Sequence, residues 1–176
     1  MVHCHMDFHE FINRLRKNKD IIVDLVSDVS LEQSRWKPAD DRWSILEVVR
    51  HLIDIEKEDF RTDMNIVLFD PERDWPNFNI HEWLVSQKYN EESISDSIQT
   101  FSDERDASLR WLEELDTPNL DAEHSGNGFG GKRMKAGDVI ASWLAHDLGH
   151  VRQIALLRYE ILKTFSGYHP GYSGFE

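Results

Sequence analysis

The chain has 176 residues, 40% of them hydrophobic and 30% charged, including nine Phe and six Trp; one domain spanning 1–176 with a substantial core is expected, and an intrinsically disordered chain is excluded. Twenty Lys and Arg stand against 33 Asp and Glu, a net charge of −13, and so negative a surface repels phosphate backbones, which makes nucleic acid and anionic membranes poor partners. No apolar run approaches the ~18 residues of a membrane span, the opening MVHCHMDFHE lacks the regions of a signal peptide, and the single cysteine, Cys4, has no internal disulfide partner; a soluble cytoplasmic protein is expected.

In chain order, Phe8, Phe11, Ile12, Leu15, Ile22, Leu25 and Val26 recur at helical spacing and predict a first long helix. A polar segment, 28–42, follows, in which Pro38 imposes a turn. Ser44 and Glu47 have the spacing of a capping box, so a second helix starts at Ser44, and Ile45, Val48, Leu52 and Ile55 carry it toward Phe69. Residues 70–79, with Pro71 and Pro76, read as a loop, followed by a short amphipathic piece around Trp83, Leu84 and Val85. A third helix is predicted over 90–115, with Ile94, Ile98, Phe101, Leu109, Leu112 and Leu115 facing inward. The glycine-rich stretch 126–131 breaks the chain before the last helix, 137–164, and the tail from 166 reads as irregular. With no strand pattern or internal repeat, four long helices predict an all-α four-helix bundle. Its connecting loops, about 15–20 residues long, exceed the usual bundle connection and are expected to cover one end.

The histidines carry the functional signal. His81, His124 and His169 fall in loops or short segments, where solvated or turn roles suffice. On the last helix His146 and His150 lie one turn and about 40° apart, on the face that carries Val139, Trp143, Ile154, Leu157 and Ile161. A single buried histidine is ordinarily a hydrogen-bonded core residue, but two on one buried turn are hard to satisfy that way. An i,i+4 pair of imidazoles can instead share one divalent ion. His51, at the edge of the second helix's apolar stripe, supplies a third nitrogen. Three protein ligands leave a fourth position for water or substrate, the pattern of a catalytic centre.

Other polar residues are weighed against that centre. Gln153 shares the face of His146 and His150 and could bind water or orient substrate. Asp147, rotated about 60° from His150, reads as an outer acceptor for a ligand imidazole or as an exposed carboxylate. Capping is sufficient explanation for Glu47. Asp59 lies near the centre of the second helix's stripe, where a buried ion pair with Arg105 would explain it. Trp43 and Trp143 read as core packing. His3, Cys4 and His5 with His9 lack a scaffold for a metal, and nothing nearby in sequence activates the Cys4 thiol.

Trp43-Ser44-Ile45-Leu46-Glu47-Val48-Val49-Arg50-His51-Leu52, followed by Glu56, resembles the W-S-x-x-E-x-x-x-H-L segment of the DinB-like superfamily. His146-Asp147-Leu148-Gly149-His150-Val151-Arg152-Gln153-Ile154 resembles its second motif, H-x-x-x-H-x-x-Q-I, and Arg105 and the glycine-rich loop also fit. The likeness extends from about Phe8 to Tyr159 and has the two motifs in the family's order. It implies an up-down-down-up four-helix bundle, often a homodimer, with a divalent metal held by His51, His146 and His150. Members with assigned activity are thiol-dependent S-transferases and a thiol-dependent isomerase. The family name refers to damage-inducible proteins and is no evidence for DNA chemistry, against which the charge argues independently.

An ion with one open position activates a bound thiol or water. The expected activity is therefore transfer of a low-molecular-weight thiol onto a small-molecule electrophile. A metal-dependent hydrolase is the rival, since His146-Asp147-x-x-His150 resembles H-E-x-x-H with Asp as general base. The non-enzymatic alternative is a metal-binding, stress-associated module. Three imidazoles suit Zn, Ni or Fe and do not select among them.

Overall fold

Short-range capping fixes where most of the helices begin, as a computed structural model describing residues 7–76, 88–126 and 133–164 shows. The readings for Cys4 and its neighbouring histidines, His81, Trp83 to Val85, 127–131, His169 and the tail lie outside those residues. Helix α1, Phe8–Val26, opens where the Asp7 carboxylate accepts the Glu10 N–H at 2.7 Å. A five-residue helix, α2, Leu31–Arg35, follows inside the segment expected to be a polar turn. It has its own capping box, Ser30 with Gln33, but is too short to show an apolar period.

Helix α3, Ile45–Asp54, begins as predicted: the Ser44 hydroxyl accepts the Glu47 N–H at 3.1 Å, and the Glu47 carboxylate accepts the Ser44 N–H at 2.8 Å. The expected uninterrupted helix to Phe69 is instead broken by a π-helical turn, Ile55–Phe60, before α4, Arg61–Phe69. Arg61 Nε donates to the Glu56 carbonyl at 2.9 Å, and Thr62 Oγ1 to that of Lys57 at 3.0 Å, so side chains satisfy carbonyls in the widened turn. The wider turn changes the register: residues spaced by five and then four, His51, Glu56 and Phe60, all become buried. A tight turn at Tyr89–Glu91 precedes α5, Ile94–Glu114, which therefore starts later than the predicted 90. The last helix, α6, spans Ala136–Lys163.

Contacts between the rods give their directions. Lys19 pairs with Asp106 and Arg16 with Glu113, so α1 and α5 run oppositely. Asn18 meets Asp147, and Arg158 donates to the Leu25 carbonyl, so α1 and α6 run the same way. Ser44 bonds Asn90 near the start of α5, and Glu56 meets Arg105 and Ser108, which sets α3–α4 parallel to α5. The order is up-down-down-up, and the described residues contain no strand, only an isolated bridge between Glu123 and Lys135.

The core is divided in two. One apolar cluster gathers Phe8, Leu15, Met64, Leu112 and Trp143; the other gathers Ile22, Leu46, Leu52, Phe101 and Ile154. Between them lies a buried polar layer of Asn18, Glu56, Arg105, Ser108 and Asp147, with His51 at its edge.

At the end of the bundle where α6 begins, two loops bind each other. Ser125 N and Gly126 N both donate to the Pro71 carbonyl, at 2.8 and 3.0 Å. A side chain at Gly126 would meet the Arg73 and Glu72 carbonyls at 2.7 and 2.8 Å, so the loops close only over a glycine. His124, expected in a solvated or turn role, is fully buried and bridges two loops, with Nε2 2.7 Å from the Arg73 carbonyl and its ring edge-on to Trp75. Contact with a distant loop, invisible to local sequence, accounts for the difference.

Candidate metal centre

His51 on α3 and the i,i+4 pair on α6 bring three imidazoles together. His146 Nε2 lies 3.1 Å from His51 Nε2 and 3.1 Å from His150 Nε2. An sp² nitrogen has one lone pair or one proton to offer, so it cannot form good hydrogen bonds to two like nitrogens at once. A shared cation removes the conflict: at metal–nitrogen distances of ~2.0–2.1 Å, adjacent tetrahedral ligands stand about 3.3 Å apart. The nitrogens therefore already have close to ligand spacing. Among the described residues these three form a group able to hold an ion, with ligand atoms within 4.8 Å of one another.

The surroundings favour the ligating form. Burial pushes His51 down to about 2, with the other two imidazoles adding, and His146 down to about 3, with His150 and the Arg105 guanidinium adding; it lowers His150 as well, against the Gln153 hydrogen bond and the Asp147 charge. All three rings are neutral at pH 7, as ligation requires. His150 Nδ1 is 2.8 Å from Gln153 Oε1; since that amide oxygen only accepts, the proton sits on Nδ1 and the Nε2 lone pair faces the cluster. Gln153 therefore acts on the ring of His150. Trp43 meets His51 edge-on at 5.1 Å and stacks on His150 at 6.2 Å, while Phe60 meets His146 at 5.4 Å. Both tryptophans pack as expected, and Trp143 also donates Nε1 to Glu56 at 3.0 Å.

Asp147 takes a different position from either one anticipated. It is fully buried and turned to Arg105, whose two terminal nitrogens reach its oxygens at 2.7 and 2.8 Å. Asn18 donates to the same carboxylate at 3.1 Å. The predicted Asp59–Arg105 pair is not formed: Arg105 Nε donates to Glu56 at 2.8 Å, because the π turn brings Glu56 inward and leaves Asp59 half-buried. Glu56 also accepts from Ser108 at 2.7 Å, and Arg105 reaches the Leu15 carbonyl at 3.1 Å. Sequence reasoning passed over Asn18 and Ser108. The available signal was a polar residue set in an apolar stripe, Asn18 between Leu15 and Ile22, and Arg105 between Phe101 and Leu109.

Asp59 pairs instead with Asp63. Burial, then the hydrogen bond and charge of Asp59, push the Asp63 carboxyl from 3.8 up to about 9. The folded protein thus keeps a proton that the unfolded chain releases, so stability falls as pH rises between those values. Asp63→Asn is expected to flatten this decline, with a melting temperature that gains on the wild type from pH 5 to pH 8. Parallel profiles for the two proteins would contradict the shared proton.

A sequence model of the DinB superfamily matches residues 14–154. No curated protein matches the chain. Among solved structures, YfiT from Bacillus subtilis, described as a probable metal-dependent hydrolase with an unusual four-helix bundle topology, superposes with a TM-score of 0.76, covering 92% of this chain and 93% of its own at 12% identity. At that identity the likeness establishes the fold.

Proposed function

The chain belongs to the DinB superfamily, and from that membership and its three converging imidazoles we propose that it is a divalent-metal-dependent enzyme of thiol S-transferase type. The observation that carries the reading is the meeting of His51, His146 and His150 through their Nε2 atoms. A divalent ion held there supplies Lewis acidity to a fourth ligand, a water or a low-molecular-weight thiol. Gln153 keeps the proton of His150 on Nδ1 and fixes the ring, and Trp43 and Phe60 pack against the imidazoles, of which His51 is buried and His146 and His150 are half-buried. A cleft of about 350 Å³ lies beside Trp43 and Gln153, which touch the cluster, although none of the three histidines lines it.

The engagement of Asp147 favours transfer over hydrolysis. In an H-E-x-x-H hydrolase the residue after the first histidine serves as base to water. Here both oxygens of Asp147 accept from Arg105, which leaves neither free to take a proton from a water at the cluster. A thiol bound to an ion held by His51, His146 and His150 would have its pKa lowered enough to release its proton to solvent, so transfer would need no such base. The description of YfiT supports the second reading, a metal-dependent hydrolase.

Zinc-loaded protein offered 1-chloro-2,4-dinitrobenzene with and without cysteine, and 4-nitrophenyl acetate without thiol, separates the readings. Thiol-dependent loss of chloride is the expected result. Thiol-free ester cleavage in its place would support the hydrolase, and inactivity in both assays a non-catalytic metal-binding module.

A further inference from the structure

The polar layer that divides the core has an uneven charge. One guanidinium, Arg105, faces two carboxylates, Glu56 and Asp147, and all three are essentially without solvent exposure. Both oxygens of each carboxylate accept from a donor: Arg105 and Trp143 on one Glu56 oxygen, Ser108 on the other, Arg105 on both of Asp147 with Asn18 added. Every partner of these four oxygens is a donor, and the layer sets two carboxylates against one guanidinium, one negative charge in excess. Uncompensated buried charge is strongly disfavoured, and one arginine balances only one carboxylate. Lys57 and Arg61 around Glu104 add a positive charge, but at the solvent edge, where water screens it.

The layer adjoins the histidines: the Arg105 charge acts on His146 and the opposing Asp147 charge on His150. Asp147 follows His146 in sequence, and Trp143, bonded to Glu56, stacks at 5.1 Å on Phe60, which in turn meets His146 at 5.4 Å. In so dry an interior a charge acts strongly on its neighbours.

We propose that the Arg105–Glu56–Asp147 cluster is the built-in counter-charge of the metal centre, its surplus carboxylate raising the affinity of the three histidines for a cation. The inference rests on the metal-binding reading above and assigns Glu56 and Asp147 as positioning residues that touch neither ion nor substrate.

Competition between the full chain and a chromophoric chelator for Zn²⁺ tests it, in wild type, Glu56→Gln, Asp147→Asn and Ser108→Ala. Glu56→Gln keeps the shape and can still accept from Arg105 and Trp143, and it removes the charge; Ser108→Ala removes a hydrogen bond and keeps the charge. Loss of a buried unit charge near a dication outweighs the ~1.4 kcal/mol of a tenfold change, so Glu56→Gln is expected to bind Zn²⁺ at least about tenfold more weakly, and Ser108→Ala within about twofold of wild type. Because the charge is buried, the Glu56→Gln loss should persist in 1 M NaCl. Asp147→Asn should repeat it and stands in if Glu56→Gln does not fold. Wild-type affinity in the folded charge-removing variants, with only their melting temperatures lowered, would overturn the proposal and leave the cluster a structural one. A wild type that binds no Zn²⁺ would overturn the metal centre itself, and this inference with it.

Discussion

His146→Ala is expected to cause the largest loss of metal affinity of any single substitution, at least about a hundredfold, beyond what outer partners contribute. His146 Nε2 is the hub, 3.1 Å from each of the other two nitrogens, so its removal leaves a pair with nothing between them. The cost to the metal-free fold should be small by comparison, about 1–2 kcal/mol, because Nδ1 of the same ring is buried without a partner and its loss removes an unsatisfied atom. Thermal melts separate the two effects. A ligand at a hundred times its dissociation constant stabilises by about 2.7 kcal/mol; Zn²⁺ should raise the wild-type melting temperature and leave that of His146→Ala unmoved. Equal stabilisation of both proteins would place the ion elsewhere.

Arg105→Met is expected to be the most damaging substitution to the fold. Arg105 satisfies Glu56, Asp147 and the Leu15 carbonyl from a fully buried position, and its charge is held in the protonated state by the two carboxylates. Breaking a buried ionic cluster from one side leaves unpaired charge and costs about 3–5 kcal/mol. Urea unfolding at pH 7 measures it. Adding Glu56→Gln to Arg105→Met should restore part of the loss, since one stranded charge is gone. A cost below about 1 kcal/mol would mean that the polar layer contributes little to the fold.

Much of this architecture is legible in local sequence because local physics decides it. The stripe of α1, the Ser44–Glu47 box and the apolar face of α6 depend on residues within one or two turns, and the structure has them as read. The meeting of His51 with His146 and His150 follows from the same periodicity once two helices face each other. What escaped reading depends on partners far along the chain. The π turn at Ile55–Phe60 is held by the Arg61 and Thr62 side chains, and nothing in the apolar period announces it. Its one-residue change of register replaces Asp59 with Glu56 as the partner of Arg105. The angle of Asp147 from the histidines does not show its partners, Asn18 on α1 and Arg105 on α5, which take up its carboxylate. His124 is buried by a loop some 50 residues earlier in the chain.

X-ray absorption at the zinc edge, on protein stripped with chelator and reloaded, addresses the central claim most directly. The account predicts one Zn²⁺ per chain with three imidazole nitrogens at ~2.0–2.1 Å. Failure to take up a stoichiometric ion, or a coordination shell in which fewer than three imidazoles appear, would contradict it.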